Sequence, residues 1–124
     1  MLGHRVLIVD DEPDIRTILR RLLLGEGYCV CEAADGFEAL MAVDRCAVSV
    51  IVMDFLMPAM TGSEAIRHLR SNPRFATTPI VIITGHTALK PQQWSDPRNG
   101  IVLLTKPLNL DQIVTTVHQL VQAA

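Results

Sequence analysis

Two spacings of apolar residues alternate along this chain. Short continuous apolar runs are typical of buried β-strands, whereas apolar residues that recur every three or four positions are typical of amphipathic helices. The apolar runs predict five strands, at residues 5–10, 28–33, 48–54, 80–84 and 101–105. Because helical segments separate these strands, we expect right-handed βαβ units and an α/β fold in which helices cover both faces of a parallel sheet.

Helix-start signals support this division of the chain. Pro13 stands near the first position of the first helix, where a missing N–H does no harm, and Gly25 marks its end. A capping residue followed three positions later by an acid or amide occurs at Asp35/Glu38, Thr61/Glu64 and Asn109/Gln112. Residues 88–100 fit less well, because two prolines and little apolar periodicity predict a short or irregular helix around Trp94.

Length and composition favour a single domain over residues 1–124. Hydrophobic residues make up 49% of the chain and charged residues 19%, which is enough for an ordinary buried core. The net charge is −2 and no Lys/Arg run occurs, so direct nucleic-acid binding is disfavoured. No apolar stretch approaches the roughly 20 residues that span a bilayer, and no secretory signal precedes the first strand. We therefore expect a cytoplasmic domain.

The chain has three cysteines, Cys29, Cys31 and Cys46. They form an odd set without metal-ligand spacing, and we interpret them as small buried hydrophobic side chains in a reducing compartment. A redox role for the Cys29/Cys31 pair is not favoured, since two residues at this spacing on a strand merely share one face.

Polar side chains follow the predicted strands where each strand ends. The first strand ends at Asp10 and Asp11, the third at Asp54, the fourth at Thr84, and the fifth is followed by Lys106. In an open parallel sheet the carboxyl ends of the strands meet at one edge, where ligands bind. We therefore expect three carboxylates, a hydroxyl and an ammonium group to converge there.

Such a cluster has specific chemical consequences. Three neighbouring carboxylates repel one another unless a cation lies among them, and Mg²⁺ prefers carboxylate oxygens and shares its coordination shell with phosphate. Each residue alone also has an ordinary explanation: acids often precede helices, strand-end aspartates form turns, and most lysines are simply solvated. Only their convergence on one edge favours a phosphoryl site.

Four motifs carry a family resemblance. They are the segments VLIVDDE at 6–12, VMDFLMPAMTG at 52–62, IITG at 82–85 and LTKP at 104–107. In this order and spacing, the sequence resembles the receiver domain of bacterial two-component response regulators over essentially the whole chain. The resemblance implies a flavodoxin-like, three-layer fold with a five-stranded parallel sheet in the order 2-1-3-4-5.

The resemblance also implies roles for individual residues. Asp54 becomes the phosphoacceptor, and Thr84 and Lys106 become the switch hydroxyl and the phosphate-pairing lysine. The implied ligands of Mg²⁺ are Asp10, Asp11, Asp54 and the backbone carbonyl of Leu56. A cis peptide bond before Pro107 is a further expectation.

By the same resemblance, the domain is a self-modifying phosphoacceptor rather than an enzyme. A sensor histidine kinase or a histidine phosphotransfer protein would supply the phosphoryl group, and the altered shape would be passed to a downstream partner or output domain. Dimerisation is left open. One departure from the family is Leu103, where many receivers have an aromatic residue that moves with the switch threonine.

Two alternatives compete with the phosphoacceptor hypothesis. A haloacid-dehalogenase-type phosphatase needs a second acid two residues after its nucleophile, but Leu56 occupies that position. A pseudo-receiver that binds partners without phosphorylation gains some support from Leu103, although the complete set of polar site residues argues against it.

Overall fold

The computed structural model describes residues 3–55, 57, 59–85 and 100–123. The predictions made for Leu56 and for the helix around Trp94 lie outside these residues. None of the helices within the described ranges is long and apolar enough to cross a membrane.

Five parallel strands form one sheet in the order β2-β1-β3-β4-β5, which confirms the predicted fold class. The strand bounds are Arg5–Val9 (β1), Cys29–Ala33 (β2), Val50–Asp54 (β3), Ile80–Thr84 (β4) and Ile101–Thr105 (β5). The three inner strands β1, β3 and β4 are buried almost throughout, as expected for a sheet covered on both faces.

Four helices cover the sheet within the described residues. Their bounds are Pro13–Gly25 (α1), Gly36–Arg45 (α2), Gly62–Ser71 (α3) and Leu110–Ala123, which we label α4. Side chains alternate along the strands, so that Leu7 and Ile51 pack in one core cluster with α2 and α3. Their neighbours Ile8 and Val52 pack in a second cluster with α1 and α4. The sheet therefore lies between two helical layers.

The predicted bounds of the first three strands differ from the observed ones by one or two residues, whereas those of the last two strands are confirmed. The third strand begins at Val50 rather than Val48, because Val50 is the first residue there with a partner, Val6, in the β1 ladder. The first strand ends at Val9, although the Asp10 N–H still donates to the Ala33 carbonyl over 3.1 Å. Such differences are ordinary at element ends, where hydrogen bonding is incomplete.

The predicted helix caps form as side-chain contacts. At α3 the Thr61 hydroxyl accepts from the Glu64 N–H and the Glu64 carboxylate accepts from the Thr61 N–H, each over 3.2 Å. Asp35 and Asn109 accept in the same way from the N–H groups of Glu38 and Gln112, over 2.8 and 3.0 Å. These bonds satisfy backbone donors that the helix itself leaves unpaired.

The cysteines are less buried than the sequence suggests. Cys29 is exposed, and Cys31 and Cys46 are half-buried. The interpretation of all three as buried hydrophobic side chains is therefore wrong, and most clearly so for Cys29. For Cys29 and Cys31 the reason is topological, since β2 is an edge strand of the sheet and its side chains have fewer neighbours. Cys46 lies at the C-terminal end of α2, outside the regular helix.

Gly62 allows the start of α3 to lie directly against the chain that follows β3. Its N–H donates to the Phe55 carbonyl over 2.8 Å. A Cβ atom at residue 62 would lie 2.9 Å from the Phe55 Cα and 3.3 Å from the Asp54 carbonyl oxygen. Those are backbone atoms that cannot rotate away, so only glycine permits this approach.

We predict that Thr61→Ala lowers the free energy of unfolding by about 1 kcal/mol, because one N-cap hydrogen bond is lost. Urea denaturation monitored by circular dichroism measures this change. Thr61→Ser is the matched control, since its hydroxyl can still accept from the Glu64 N–H. Equal stability of the alanine and serine variants would contradict the role of the cap.

Candidate functional site

The carboxyl ends of four strands bring the predicted site residues to one edge of the sheet. Asp54 is the last residue of β3 and Thr84 the last of β4. Asp10 follows β1 directly, and Lys106 follows β5. Parallel strands in register end together, and this shared edge turns residues far apart in sequence into neighbours.

Three carboxylates form the centre of the site. One oxygen each from Asp10, Asp11 and Asp54 lies within 4.8 Å of the others. Ligands of Mg²⁺ at 2.0–2.1 Å can be at most about 4.2 Å apart, so a small inward movement completes a binding geometry. An all-oxygen, acidic donor set is the kind that hard divalent cations prefer. The predicted metal-ligating side chains therefore fit the metal.

The carboxyl group of Asp10 is strongly perturbed by its surroundings. Only 4% of the residue is exposed, and burial raises the pKa of its carboxyl group to about 6. The Glu12 N–H, which donates to Asp10 Oδ1 over 2.9 Å, opposes this rise in pKa, whereas the negative charge of Asp54 adds to it. The carboxylates therefore repel one another in a poorly solvated place, and a cation there would relieve the repulsion.

Arg16, one turn into α1, supports the loop that carries two of the acids. Its guanidinium Nη1 donates to the Asp10 backbone carbonyl over 2.6 Å, and its Nε lies 3.3 Å from the Glu32 carboxylate. Arg20 contacts the other oxygen of Glu32 at 3.4 Å. Glu32 on β2 thus orients Arg16, and Arg16 holds the backbone between Asp10 and α1.

Lys106 supplies positive charge close to the predicted acceptor. Its Nζ lies 3.8 Å from Asp54 Oδ1, an electrostatic contact rather than a direct hydrogen bond. About a third of the lysine side chain is exposed, whereas Asp54 is buried. The Lys106 N–H also donates to the Thr84 carbonyl over 2.8 Å, which ties the ends of β4 and β5 together.

The structure also describes most of the other residues that the sequence analysis singled out near this edge. Thr84 is 1% exposed, and Leu103 is half-buried against the core beside α2 and α3. The peptide bond between Lys106 and Pro107 is cis, as expected. The Leu56 carbonyl, expected as a further metal ligand, lies outside the described residues, so the structure does not test it.

Sequence reasoning missed two residues that shape the site, Arg16 and Gly62. A lone arginine on an amphipathic helix carries no signal for a contact with the Asp10 carbonyl. Gly62 had a weak signal, since glycine within a helix lowers its stability. Its reason is visible only where the helix meets the chain after Asp54.

Comparisons with known proteins agree with this geometry. Residues 6–118 match the family model for the response regulator receiver domain. The transcriptional regulatory protein TcrA of Mycobacterium tuberculosis is 33% identical over 118 residues, which cover 95% of this chain and 46% of TcrA. The chain thus spans about half the length of that relative.

Solved structures give the same result. The chemotaxis response regulator CheY4 of Vibrio cholerae has a TM-score of 0.83 and 33% identity, covering 97% of this chain and 99% of CheY4. The receiver domain of the sensor histidine kinase PA1611 of Pseudomonas aeruginosa, solved with magnesium in its active-site cleft, has a TM-score of 0.83 and 25% identity. That comparison covers 97% of this chain and 98% of the PA1611 domain. With its acidic pocket of three aspartates, this chain belongs to the receiver domain family of two-component response regulators.

Proposed function

We propose that this domain is a phosphorylation switch in which Asp54 accepts a phosphoryl group. The observation that carries the proposal is the position of Asp54, buried among Asp10, Asp11 and Lys106 at the carboxyl edge of the sheet. A structural aspartate would rarely be placed beside two further acids in a buried setting, because the repulsion is unfavourable. Receivers are typically signalling domains rather than enzymes, and the proposal agrees with that.

The residues divide the chemistry of transfer among them. A carboxylate oxygen of Asp54 attacks the phosphorus of a phosphohistidine or of a small phosphoryl donor. The new O–P bond forms as the P–N bond of phosphohistidine breaks, and the leaving imidazole keeps the electron pair and takes up a proton. Lys106 lies close enough to Asp54 to pair with the phosphoryl oxygens, and the Thr84 hydroxyl would donate to one of them.

Asp10, Asp11 and Asp54 would hold Mg²⁺, with the Leu56 carbonyl as the further proposed ligand. The bound ion supplies positive charge that offsets the negative charge gathered on the carboxylates and the phosphoryl group. Arg16 keeps the Asp10–Asp11 loop in place for this role through its bond to the Asp10 carbonyl.

Response regulator receivers interact with histidine kinases, so we propose a histidine kinase or a histidine phosphotransfer protein as the donor for this chain. Phosphorylation brings a charge of about −1.5 to −2 to Asp54, which attracts Lys106 and the Thr84 hydroxyl. This attraction would move the ends of β4 and β5 and so alter the surface that a downstream partner or output domain contacts. With Leu103 in place of an aromatic residue, the change would be transmitted by the backbone and aliphatic packing.

Phosphoryl transfer to Asp54 can be tested with a small donor. Incubation with phosphoramidate and Mg²⁺ should add the mass of one phosphoryl group, and a chelator should prevent the addition. Asp54→Asn should show no adduct, because its amide cannot form the acyl phosphate. Intact-mass spectrometry makes the measurement.

Asp44→Asn serves as the control for this experiment, since Asp44 is an exposed carboxylate paired with Arg74 on the protein surface. It should be phosphorylated like the unmodified protein. An adduct of equal yield in Asp54→Asn, or one that forms equally well without Mg²⁺, would contradict the proposal.

Mg²⁺ affinity should depend on the proposed carboxylate ligands. Asp11→Asn should weaken Mg²⁺ binding roughly tenfold or more, because one anionic oxygen ligand is removed from a hard-cation site. Asp14→Asn, which removes a nearby carboxylate in the first turn of α1, should change the affinity far less. Isothermal titration calorimetry compares the two variants. Unchanged affinity in both Asp11→Asn and Asp54→Asn would favour the pseudo-receiver instead.

In the absence of metal, the stability of the protein should depend on pH through Asp10. The folded-state pKa of Asp10, about 6, lies above its ordinary value of 3.8, so the folded protein binds a proton between these values that the unfolded chain does not. Its contribution to stability is therefore favourable at low pH and is lost as pH rises through 6. Asp10→Asn should remove this loss, up to about 3 kcal/mol above pH 7.

Urea denaturation at pH 4.5 and pH 7.5 measures the difference, again with Asp44→Asn as the exposed control. The Asp10→Asn variant should gain stability relative to the unmodified protein mainly at the higher pH. Saturating Mg²⁺ should reverse the order at that pH, because the ion stabilises only the ionised cluster. A gain that is the same at both pH values would contradict the assigned cause.

A further inference from the structure

Two of the cysteines meet in the folded protein, although neither is near the other in sequence. The Sγ atoms of Cys31 and Cys46 lie 2.8 Å apart, and both residues are free thiols. Carbon atoms in van der Waals contact are about 3.5–4.0 Å apart, and sulfur is no smaller, so this approach is close for unbonded atoms. A disulfide bond is about 2.05 Å long, which leaves a movement of less than one ångström between the two states.

We propose that Cys31 and Cys46 form a reversible disulfide bond that joins the edge strand β2 to the C-terminal end of α2. A soluble disulfide serves as the oxidant. One thiolate of the pair attacks it, releases one thiol and forms a mixed disulfide, and the second cysteine then displaces the other thiol. The protein loses two protons and two electrons, and the soluble disulfide takes them up and becomes two thiols.

The surroundings of the pair allow this exchange. Both cysteines are half-buried, so a small reagent can reach them. Cys31 lies on the edge strand β2, and Cys46 is the C-cap residue of α2. Burial, and then the neighbouring Cys46, raises the pKa of the Cys31 thiol to about 11. The thiolate is the attacking species, so the exchange should be slow near neutral pH and accelerate as pH rises.

The bond would hold the C-terminal end of α2, and packing holds its N-terminal end. At its N-terminal end the helix is already packed tightly, since a Cβ atom added to Gly36 would lie 2.9 Å from the Met60 side chain. At its C-terminal end, the Cys46 N–H donates to the Ala42 carbonyl over 2.8 Å. The Cys46 thiol lies against the Cys31 thiol on β2. A covalent link there closes a short loop and restricts the unfolded chain. This disulfide bond is independent of phosphoryl transfer at Asp54.

Oxidation of the native protein by oxidised glutathione, followed by peptide mapping, tests the proposal. The expected product is a monomer about 2 Da lighter, with Cys31 linked to Cys46 and Cys29 left outside the link. Its melting temperature should exceed that of the reduced protein by about 5–10 °C, and dithiothreitol should restore the reduced value.

Cys29→Ser is the matched control, because Cys29 is an exposed thiol on the same strand, and this variant should form the same disulfide. Cys31→Ser and Cys46→Ser should each yield only glutathione adducts and no rise in melting temperature. Mapping of the unmodified protein decides the matter even where a serine variant folds poorly. A product that carries only glutathione adducts, or a link between Cys29 and Cys31, would overturn the proposal.

Discussion

Repulsion among Asp10, Asp11 and Asp54 is the constraint around which the rest of this molecule is arranged. One oxygen from each acid lies within 4.8 Å of the others, and one of the acids is almost fully buried. A flexible loop would let such groups move apart. Here β1 and β3 are adjacent, parallel and packed on both faces by the two core clusters, so the acids are kept together despite their charge.

The same edge also contains the means of balancing that charge. Lys106 lies 3.8 Å from Asp54, and the raised pKa of Asp10 allows a proton to take the place of a cation at mildly acidic pH. Gly62 and Arg16 contact the backbone rather than the carboxylates, and they fix the chain after β3 and after β1. Preorganisation of this kind is effective because the groups need not reorganise when charge arrives.

The edge strand and α2 form a second region with its own chemistry. Cys31 and Cys46 lie there with their sulfur atoms in contact, and the acids lie beyond the carboxyl ends of the central strands. The two regions are packed together, because α2 shares its core cluster with β1 and β3. A phosphoryl group would act on the ends of β4 and β5, whereas a disulfide would act on α2, so the two modifications would restrain different parts of the fold.

The sequence by itself determined the parallel α/β fold, the three helix caps and the convergence of Asp54 with its neighbours. It could do so because apolar periodicity and capping depend on residues close in the chain, and the carboxyl-end rule then converts strand ends into neighbours. Only the tertiary structure decided the contact of Arg16 with the Asp10 carbonyl, the need for glycine at residue 62 and the exposure of Cys29. It also brought Cys31 to Cys46, across 15 positions of sequence. These features depend on how separate elements pack, and local sequence patterns do not specify the distances between elements.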